Sequence, residues 1–132
     1  MSLSTEDQLA IQQLYARYNH AIDSGDGAGW AATFTSEGVF NSASGTFTGG
    51  EQLAGFANSM AQRIKGRHWT NNLVLDGDGG KASGTCYLLL FQLTPGQQPP
   101  ANLLVTAIYK DELAKGPDGS WRFSRRTVEG DA

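Results

Sequence analysis

The sequence predicts an α+β fold in which N-terminal helices pack on one face of a curved, mainly antiparallel sheet. Apolar residues first recur with helical spacing, and from residue 67 onward their spacing changes to that of strands. Glycine-rich turns separate the later apolar runs, as they do in hairpins. Helices followed by strands are typical of this class. Because the 132 residues contain no repeat and no linker, we expect a single domain over residues 1–132.

The first helix is predicted over residues 9–26, LAIQQLYARYNHAIDSGD. Ser4 or Thr5 can cap its start, and Gly25 can end it. Asp23 lies beside the apolar stripe of this helix, so its carboxylate must be hydrogen-bonded or paired to offset the cost of burial. The stripe consists of Ile11, Leu14, Tyr15, Tyr18, Ala21 and Ile22.

Two further helices are predicted before the sheet. Asp26 can cap a short second helix that runs through Trp30 and Phe34. Two short strand segments follow, and a third helix is predicted over residues 50–65, where Gly66 ends it.

Four strands are predicted after the helices, joined by glycine-rich turns and one proline-rich loop. They cover residues 67–76, 81–93, 102–113 and 120–130. Polar residues alternate along the first and last of these strands, so each polar set is expected to share one face. The two sets are His68, Thr70 and Asn72, and Arg122, Ser124 and Arg126. Alternation leaves open whether either face is covered by the helices or open to solvent.

Composition argues against several classes of function. The net charge of −3 argues against nucleic-acid binding, which needs a basic surface. No apolar run is long enough to span a membrane and no signal-like pattern opens the chain, so we expect no membrane partner and a cytoplasmic location. Cys86 is the single cysteine, and its apolar neighbours predict a buried, inert thiol. Two histidines without an HExxH spacing leave little material for a metal site, so we expect neither metal nor cofactor.

The order of the motifs resembles the SnoaL-like branch of the nuclear transport factor 2-like superfamily. The first helix carries Y-x-x-Y-x-x-A-x-D-x-G-D, a later strand carries H-x-x-x-N, and the last strand carries W-x-F-x-x-R. The resemblance covers residues 9–127. It implies a cystatin-like, cone-shaped α+β barrel, in which three helices pack on a bent sheet around a ligand pocket.

The catalytic pattern most similar to this chain is that of scytalone dehydratase and hexachlorocyclohexane dehydrochlorinase. In both, an aspartate at the end of the first helix holds a histidine at the start of a central strand. The resemblance puts these roles on Asp23 and His68, and an arginine of the last strand on Arg126. The lysine of the dehydrochlorinase helix falls on Tyr18, as does the oxyanion tyrosine of ketosteroid isomerase. The predicted pocket walls are Trp30, Phe40, Phe56, Met60 and Asn72.

This pattern predicts proton abstraction from carbon by an Asp–His dyad. A neutral imidazole suits a general base at neutral pH, and a carboxylate that accepts its Nδ1–H fixes the tautomer. Tyr18 and Arg126 would stabilise an enolate or a departing group. The expected reaction is an elimination, isomerisation or cyclisation of a hydrophobic small molecule. Alternatively, Asp23 caps local backbone and His68 is a core histidine.

Two other classes of function stay open at this point. One is a non-catalytic ligand-binding protein, and the other is an assembly module such as the small subunit of a ring-hydroxylating dioxygenase. In every case we expect a homo-oligomer, a dimer or trimer, because Leu88, Leu90 and Leu103 are predicted to be exposed on the sheet.

Overall fold

The computed structural model, which describes residues 2–132, contains three helices and a six-stranded sheet, and the first two strands lie between the second and third helices in the chain. The predicted α+β class is confirmed. The sheet is mixed and open, with strand order β2-β1-β6-β5-β4-β3: β1 and β6 are parallel, and the other neighbours are antiparallel. The elements are α1 (Thr5–Asp23), α2 (Gly27–Ala31), β1 (Phe34–Ser42), β2 (Gly45–Thr48), α3 (Gly49–Arg63), β3 (Gly66–Gly77), β4 (Lys81–Leu93), β5 (Ala101–Lys115) and β6 (Trp121–Gly130).

The ends of α1 follow the predicted capping residues. The Ser4 hydroxyl accepts a hydrogen bond from the backbone N–H of Asp7 at 3.0 Å, so the helix begins at Thr5, four residues before the predicted start. At the other end Gly25 has a φ of 77°, the left-handed conformation that favours glycine. The helix therefore stops directly after Asp23, which leaves that carboxylate free to reach the sheet.

The other two helices end earlier than predicted. The Asp26 side chain caps α2 as expected, but α2 stops at Ala31 and Phe34 already belongs to β1. Gly66 does not end α3, because Ile64 is already extended and Gly66 begins β3.

A bulge in β6 separates the two arginines that were predicted to share a face. The pairing of β5 with β6 shifts by one residue around Ser124, so alternation changes phase there. Arg126 consequently points into the interior, whereas Arg122 stays outside in an ion pair with Asp118. A shift between Asn71 and Val74 in β3 likewise breaks the predicted row of polar residues in that strand.

Aromatic rings fill the space between the helices and the inner face of the sheet. Tyr18 is central: its ring centroid lies 5.4 Å from that of Trp30 and 5.6 Å from that of Phe123. Phe40 and Phe56 continue the cluster beyond Trp30. The interior under α2 and α3 is therefore packed with side chains.

The outer face of the sheet carries an apolar patch, but the β4 leucine that faces outward is not one of the two that were predicted to do so. Leu88 and Leu90 are buried, whereas their neighbour Leu89 is exposed. The run YLLLF is apolar at every position, so it gives no signal for the face on which each leucine lies. Leu103 is exposed as predicted. The exposed large apolar residues of the three strands β3 to β5 are Trp69, Val74, Tyr87, Leu89, Leu103 and Leu104.

Asp7 joins the start of α1 to the far strands. Its carboxylate accepts hydrogen bonds from the Trp121 indole at 3.0 Å and from the Lys115 ammonium at 3.1 Å. The hydrogen bond from the Trp121 indole, and to a smaller extent the one from Lys115, lowers the pKa of Asp7 below its usual value. The stabilisation is thus complete above the pKa of an unfolded aspartate, about 3.9, and is lost as the pH falls through the lower folded value.

We therefore expect Asp7→Asn to lower the free energy of unfolding at neutral pH. The gap between wild type and variant should begin to shrink below about pH 4 and should close as the pH falls through the lowered pKa of the folded Asp7 carboxylate. Urea denaturation at the two pH values measures this, with the exposed neighbour substitution Glu6→Gln as the control. If the difference in free energy of unfolding between wild type and Asp7→Asn stays constant with pH, the charge of Asp7 does not contribute to stability.

Candidate active site

A cavity of about 770 Å³ lies between α1 and β3. One face of the helix forms one wall, and the first half of β3 with part of β4 forms the other. It is lined by Gln12, Tyr15, Ala16, Asn19, His20, Asp23, Ser24, Arg67, His68, Trp69, Thr70, Asn71, Asn72, Leu73 and Cys86.

Asp23 and His68 meet at one end of this cavity. The Asp23 Oδ1 atom lies 2.6 Å from His68 Nδ1, and the same carboxylate accepts the backbone N–H of His68 at 3.0 and 3.2 Å. The His68 side chain is 7% exposed and that of Asp23 19%. Nε2 of His68 makes no hydrogen bond within residues 2–132 and is not among the fully buried atoms without a partner. The Asp23 carboxylate therefore fixes the imidazole ring through Nδ1, and Nε2 of the ring is left without a protein partner among the described residues.

A second polar contact runs beside the first. Asn19 lies one helical turn before Asp23, and Thr70 lies two residues after His68 on the same side of β3. The Asn19 Nδ2 group donates to Thr70 Oγ1 at 3.0 Å. One turn of helix and two residues of strand both span about 6 Å, so the two contacts form parallel rungs between α1 and β3.

Asn19 was not predicted from the sequence, although a signal for it exists. Positions i and i+4 share a face of a helix, so any residue four before Asp23 faces the same partner strand. Tyr15, four residues earlier still, is buried in the core as its place in the apolar stripe predicts, and it also forms part of the cavity wall.

Asn72 lies in the cavity wall at the bulge of β3. Its φ of 58° is the left-handed conformation, which asparagine adopts more readily than most residues. The predicted pocket residue is thus presented by a local irregularity of the strand rather than by regular alternation.

The other predicted site residues lie away from this cavity. Tyr18 and Arg126 are buried in the core, and neither of them lines the cavity between α1 and β3. Among the predicted pocket walls, Trp30 and Phe40 belong to the aromatic cluster, and Met60 packs against that cluster. Phe56 lines a separate cavity of about 550 Å³ between β2 and α3.

Arg126 pairs with a partner on the adjacent strand. Its Nε and Nη2 atoms donate to the two carboxylate oxygens of Asp111 at 2.7 and 2.8 Å, and both side chains are 0% exposed. The guanidinium lies 3.7 Å from the ring centroid of Tyr109 and 4.4 Å from that of Tyr18. Tyr15 donates its hydroxyl to the same carboxylate. The buried Arg126–Asp111 pair thereby fixes the position of Tyr15, which forms part of the cavity wall.

Burial keeps the nearby phenol and thiol groups protonated. Burial raises the pKa of Tyr15, and the negative charge of Asp111 raises it further. Burial also raises the pKa of Tyr18. Burial also raises the pKa of the Cys86 thiol to about 11. These groups are neutral near pH 7. Cys86 is therefore present as the thiol rather than the reactive thiolate.

Within residues 2–132, no group of three or more histidine, cysteine, aspartate or glutamate side chains is arranged to hold a metal ion. None of the described helices has the length and apolar character needed to cross a membrane.

Comparisons with known proteins identify the family. A model of the SnoaL-like domain matches residues 4–127. A variant of Rv3472 from Mycobacterium tuberculosis, described as a protein of unknown function, is 34% identical over 93% of this chain and 70% of its own, with a TM-score of 0.86. A Nostoc punctiforme protein with a cystatin-like fold is 28% identical over 99% of this chain and 96% of its own, with a TM-score of 0.88.

A third similar structure contains a ligand. It comes from Catenulispora acidiphila, was solved in complex with S-DNPA, and is 25% identical over 97% of this chain and 96% of its own, with a TM-score of 0.84. No curated protein matches the chain. The extent of the domain match and the identity to Rv3472 lead to one conclusion: the chain belongs to the family of SnoaL-like domains.

Proposed function

We propose that the protein is a cofactor-independent lyase or isomerase of the dehydratase, dehydrohalogenase or cyclase type. In this proposal His68 removes a proton from carbon in a hydrophobic small molecule, and Asp23 orients it. The observation that carries the proposal is the 2.6 Å contact between Asp23 Oδ1 and His68 Nδ1 at the wall of a cavity. The ligand complex of the Catenulispora relative supports a small molecule as the partner.

The chemistry follows from the free ring nitrogen. Asp23 accepts the Nδ1–H, so the lone pair of His68 lies on Nε2 and can take the proton next to a carbonyl group. The electrons of the broken C–H bond form the new double bond as a β-hydroxyl or halide leaves. The imidazolium, stabilised by Asp23, then returns its proton to a departing hydroxyl, which leaves as water.

The cavity also offers a donor for the developing negative charge. The Thr70 oxygen accepts from Asn19, which leaves the Thr70 hydroxyl hydrogen free to donate to an enolate oxygen. Asn72 is a second candidate donor in the same wall. Arg126 enters this proposal as a positioning residue, since it donates to Asp111, which in turn accepts the Tyr15 hydroxyl. Tyr18 contributes by packing its ring against the Arg126 guanidinium, which lies 4.4 Å from the ring centroid.

The direct test is carbon-bound hydrogen exchange. Aromatic β-hydroxy ketones and β-chloro ketones are incubated with the protein in deuterated water, and NMR follows loss of the α-proton signal and appearance of the enone. We expect both for at least one ketone with wild type and neither with His68→Ala. If exchange is the same with both proteins, His68 is not the base.

A non-catalytic ligand-binding protein is the second candidate. The two contacts of Asp23 with His68 favour this function. A carboxylate that binds both the backbone N–H and the ring of His68 can serve only to join α1 to β3. Ketones that shift the amide NMR signals of the cavity residues without exchanging their protons would support this second function.

We further propose that the apolar patch on the outer face of the sheet joins two copies of the chain. Trp69 and Leu89 are directly paired across strands, and Leu103 pairs with Phe91 on the same face. Trp69 is 59% exposed and Leu103 54%. A single copy would leave this contiguous apolar surface in water.

Light scattering after size-exclusion chromatography tests the association. We expect twice the mass of the chain for wild type, and a monomer for the double substitution Leu89→Lys and Leu103→Lys. Leu9→Lys, at an exposed apolar position on α1 outside the patch, should leave the dimer intact. A wild-type monomer would contradict the proposal.

A further inference from the structure

The cavity of about 550 Å³ between β2 and α3, here called the β2–α3 cavity, is separate from the candidate active site. None of the residues that line it lines the cavity that holds Asp23 and His68. Its wall combines two aromatic rings, one positive charge and a glycine that neither packing nor backbone conformation requires.

The aromatic part of this wall consists of Phe47 from β2 and Phe56 from α3. Their ring centroids lie 4.7 Å apart, and the two ring planes are inclined by 44°. Both side chains are only partly buried and both line the cavity, so they present apolar surface to it. A third aromatic ring packs well against such a pair, because its edge or face can be offset against theirs.

The positive charge of the wall belongs to Arg63, which is exposed in the last turn of α3. The other residues that line the cavity carry no charge, and Arg63 forms no ion pair with any residue in the range 2–132. A guanidinium is planar and matches the two oxygens of a carboxylate. The hydroxyl of Ser59, one helical turn earlier on the same side of α3, offers a further donor.

Gly55 lies in the wall of the β2–α3 cavity, in the middle of α3. A glycine destabilises the interior of a helix relative to alanine. Gly55 has no positive φ that would favour glycine, and a Cβ atom placed there meets no atom within 4 Å. The chain therefore leaves this part of the cavity open although a side chain would fit.

We propose that the β2–α3 cavity is a second ligand site, which takes a small aromatic carboxylate. The ring packs against Phe47 and Phe56 in the space that Gly55 leaves open, and the carboxylate accepts hydrogen bonds from Arg63. Phe56 and Arg63 are seven residues apart, about 10.5 Å along the helix. A two-ring acid bridges this distance because side chains of a helix tilt toward its N-terminus, which brings the guanidinium closer to the ring.

Binding to this cavity is measured by NMR titration at low ionic strength. The two probes are 2-naphthoate and 2-naphthamide, which has the same ring system and no charge. We expect wild type to bind 2-naphthoate with a Kd below about 1 mM, and at least about tenfold more tightly than 2-naphthamide. The largest shifts should be those of the backbone amide signals of Gly55, Phe56 and Ser59.

The contribution of the charge is tested with Arg63→Gln. In this variant the affinities for the two probes should become equal within about twofold, through weaker binding of 2-naphthoate. Arg17→Gln is the matched control, because Arg17 is also an exposed helical arginine but lines neither cavity. It should leave both affinities unchanged.

The contribution of the open space is tested with Gly55→Leu. The leucine side chain fills the cavity from α3, so binding of both probes should fall at least about tenfold. The thermal unfolding midpoint should stay the same or rise, because leucine is the better helix former. Gly50→Leu is the matched control: a Cβ atom at Gly50 also meets open space, but Gly50 does not line the cavity, so both affinities should be unchanged.

The inference is overturned if wild type binds 2-naphthoate no more tightly than 2-naphthamide, or if Gly55→Leu binds the probes as wild type does. Shifts confined to the signals of His68 and Thr70 would place the probe in the other cavity and would also contradict it. Because neither Asp23 nor His68 takes part, this site and the proposed enzymatic function stand or fall separately.

Discussion

His68→Ala is expected to reduce proton abstraction by about 10²- to 10⁴-fold, the usual contribution of a positioned general base. The reason is that no second imidazole is held by Asp23: His20, the other histidine, also lines the cavity but is exposed and makes no side-chain hydrogen bond to a described residue. Binding of the ligand should change much less than the rate, because most of the cavity wall is left in place. Initial rates of enone formation or deuterium exchange, with ligand affinity measured separately, give both quantities.

Asp23→Asn should cause a loss of comparable order while the protein remains folded. An asparagine can still accept the backbone N–H of His68, but it no longer stabilises the imidazolium or enforces the tautomer with its proton on Nδ1. Asp76→Asn removes a carboxylate from the far end of β3 and serves as the matched control. Equal rates for the Asp23 and Asp76 variants would argue that the carboxylate only joins α1 to the sheet.

Arg126→Met is expected to cost about 3–5 kcal/mol of the free energy of unfolding. Removal of the guanidinium leaves the Asp111 carboxylate fully buried, with the Tyr15 hydroxyl as its remaining hydrogen-bond donor. The double substitution Arg126→Met and Asp111→Leu should recover most of this loss, because no uncompensated charge then remains in the core. Urea denaturation of wild type and the two variants provides the comparison.

Arg122→Met is the matched control for that prediction. Arg122 is in the same strand and also forms an ion pair, with Asp118, but its side chain is 35% exposed. Exposed pairs contribute about 0–1 kcal/mol, so the loss should be several times smaller than at Arg126. Similar losses at the two arginines would contradict the structural role assigned to the buried pair.

Local signals in the sequence predicted the elements well and the cross-strand contacts poorly. Ser4, Gly25 and Asp26 act through the backbone within a few residues, so capping rules were sufficient to find them. The predicted partnership of Asp23 and His68 came from the family resemblance, and the structure brings the two side chains into contact. Whether that contact is catalytic stays a prediction.

The features that the sequence did not predict depend on strand register. Asp111 meets Arg126 only because β5 and β6 pair in one particular alignment, and the bulge at Ser124 decides on which side Arg126 lies. The apolar run around Leu89 likewise gives no phase, so the outward-facing leucine was misassigned. Such choices are set by packing between distant segments, which periodicity within one segment does not encode.

The tautomer of His68 is the measurement that bears most directly on the proposed chemistry. Long-range ¹H–¹⁵N NMR of the imidazole nitrogens distinguishes the two neutral forms, and His20→Ala assigns the spectrum because the chain has only two histidines. At a pH where the ring is neutral, we expect the proton of His68 on Nδ1 and a lone pair on Nε2, with the Nε2 signal shifting when a ketone binds. A proton on Nε2, or an Nε2 signal unaffected by every ligand that enters the cavity, would contradict the role of His68 as the base.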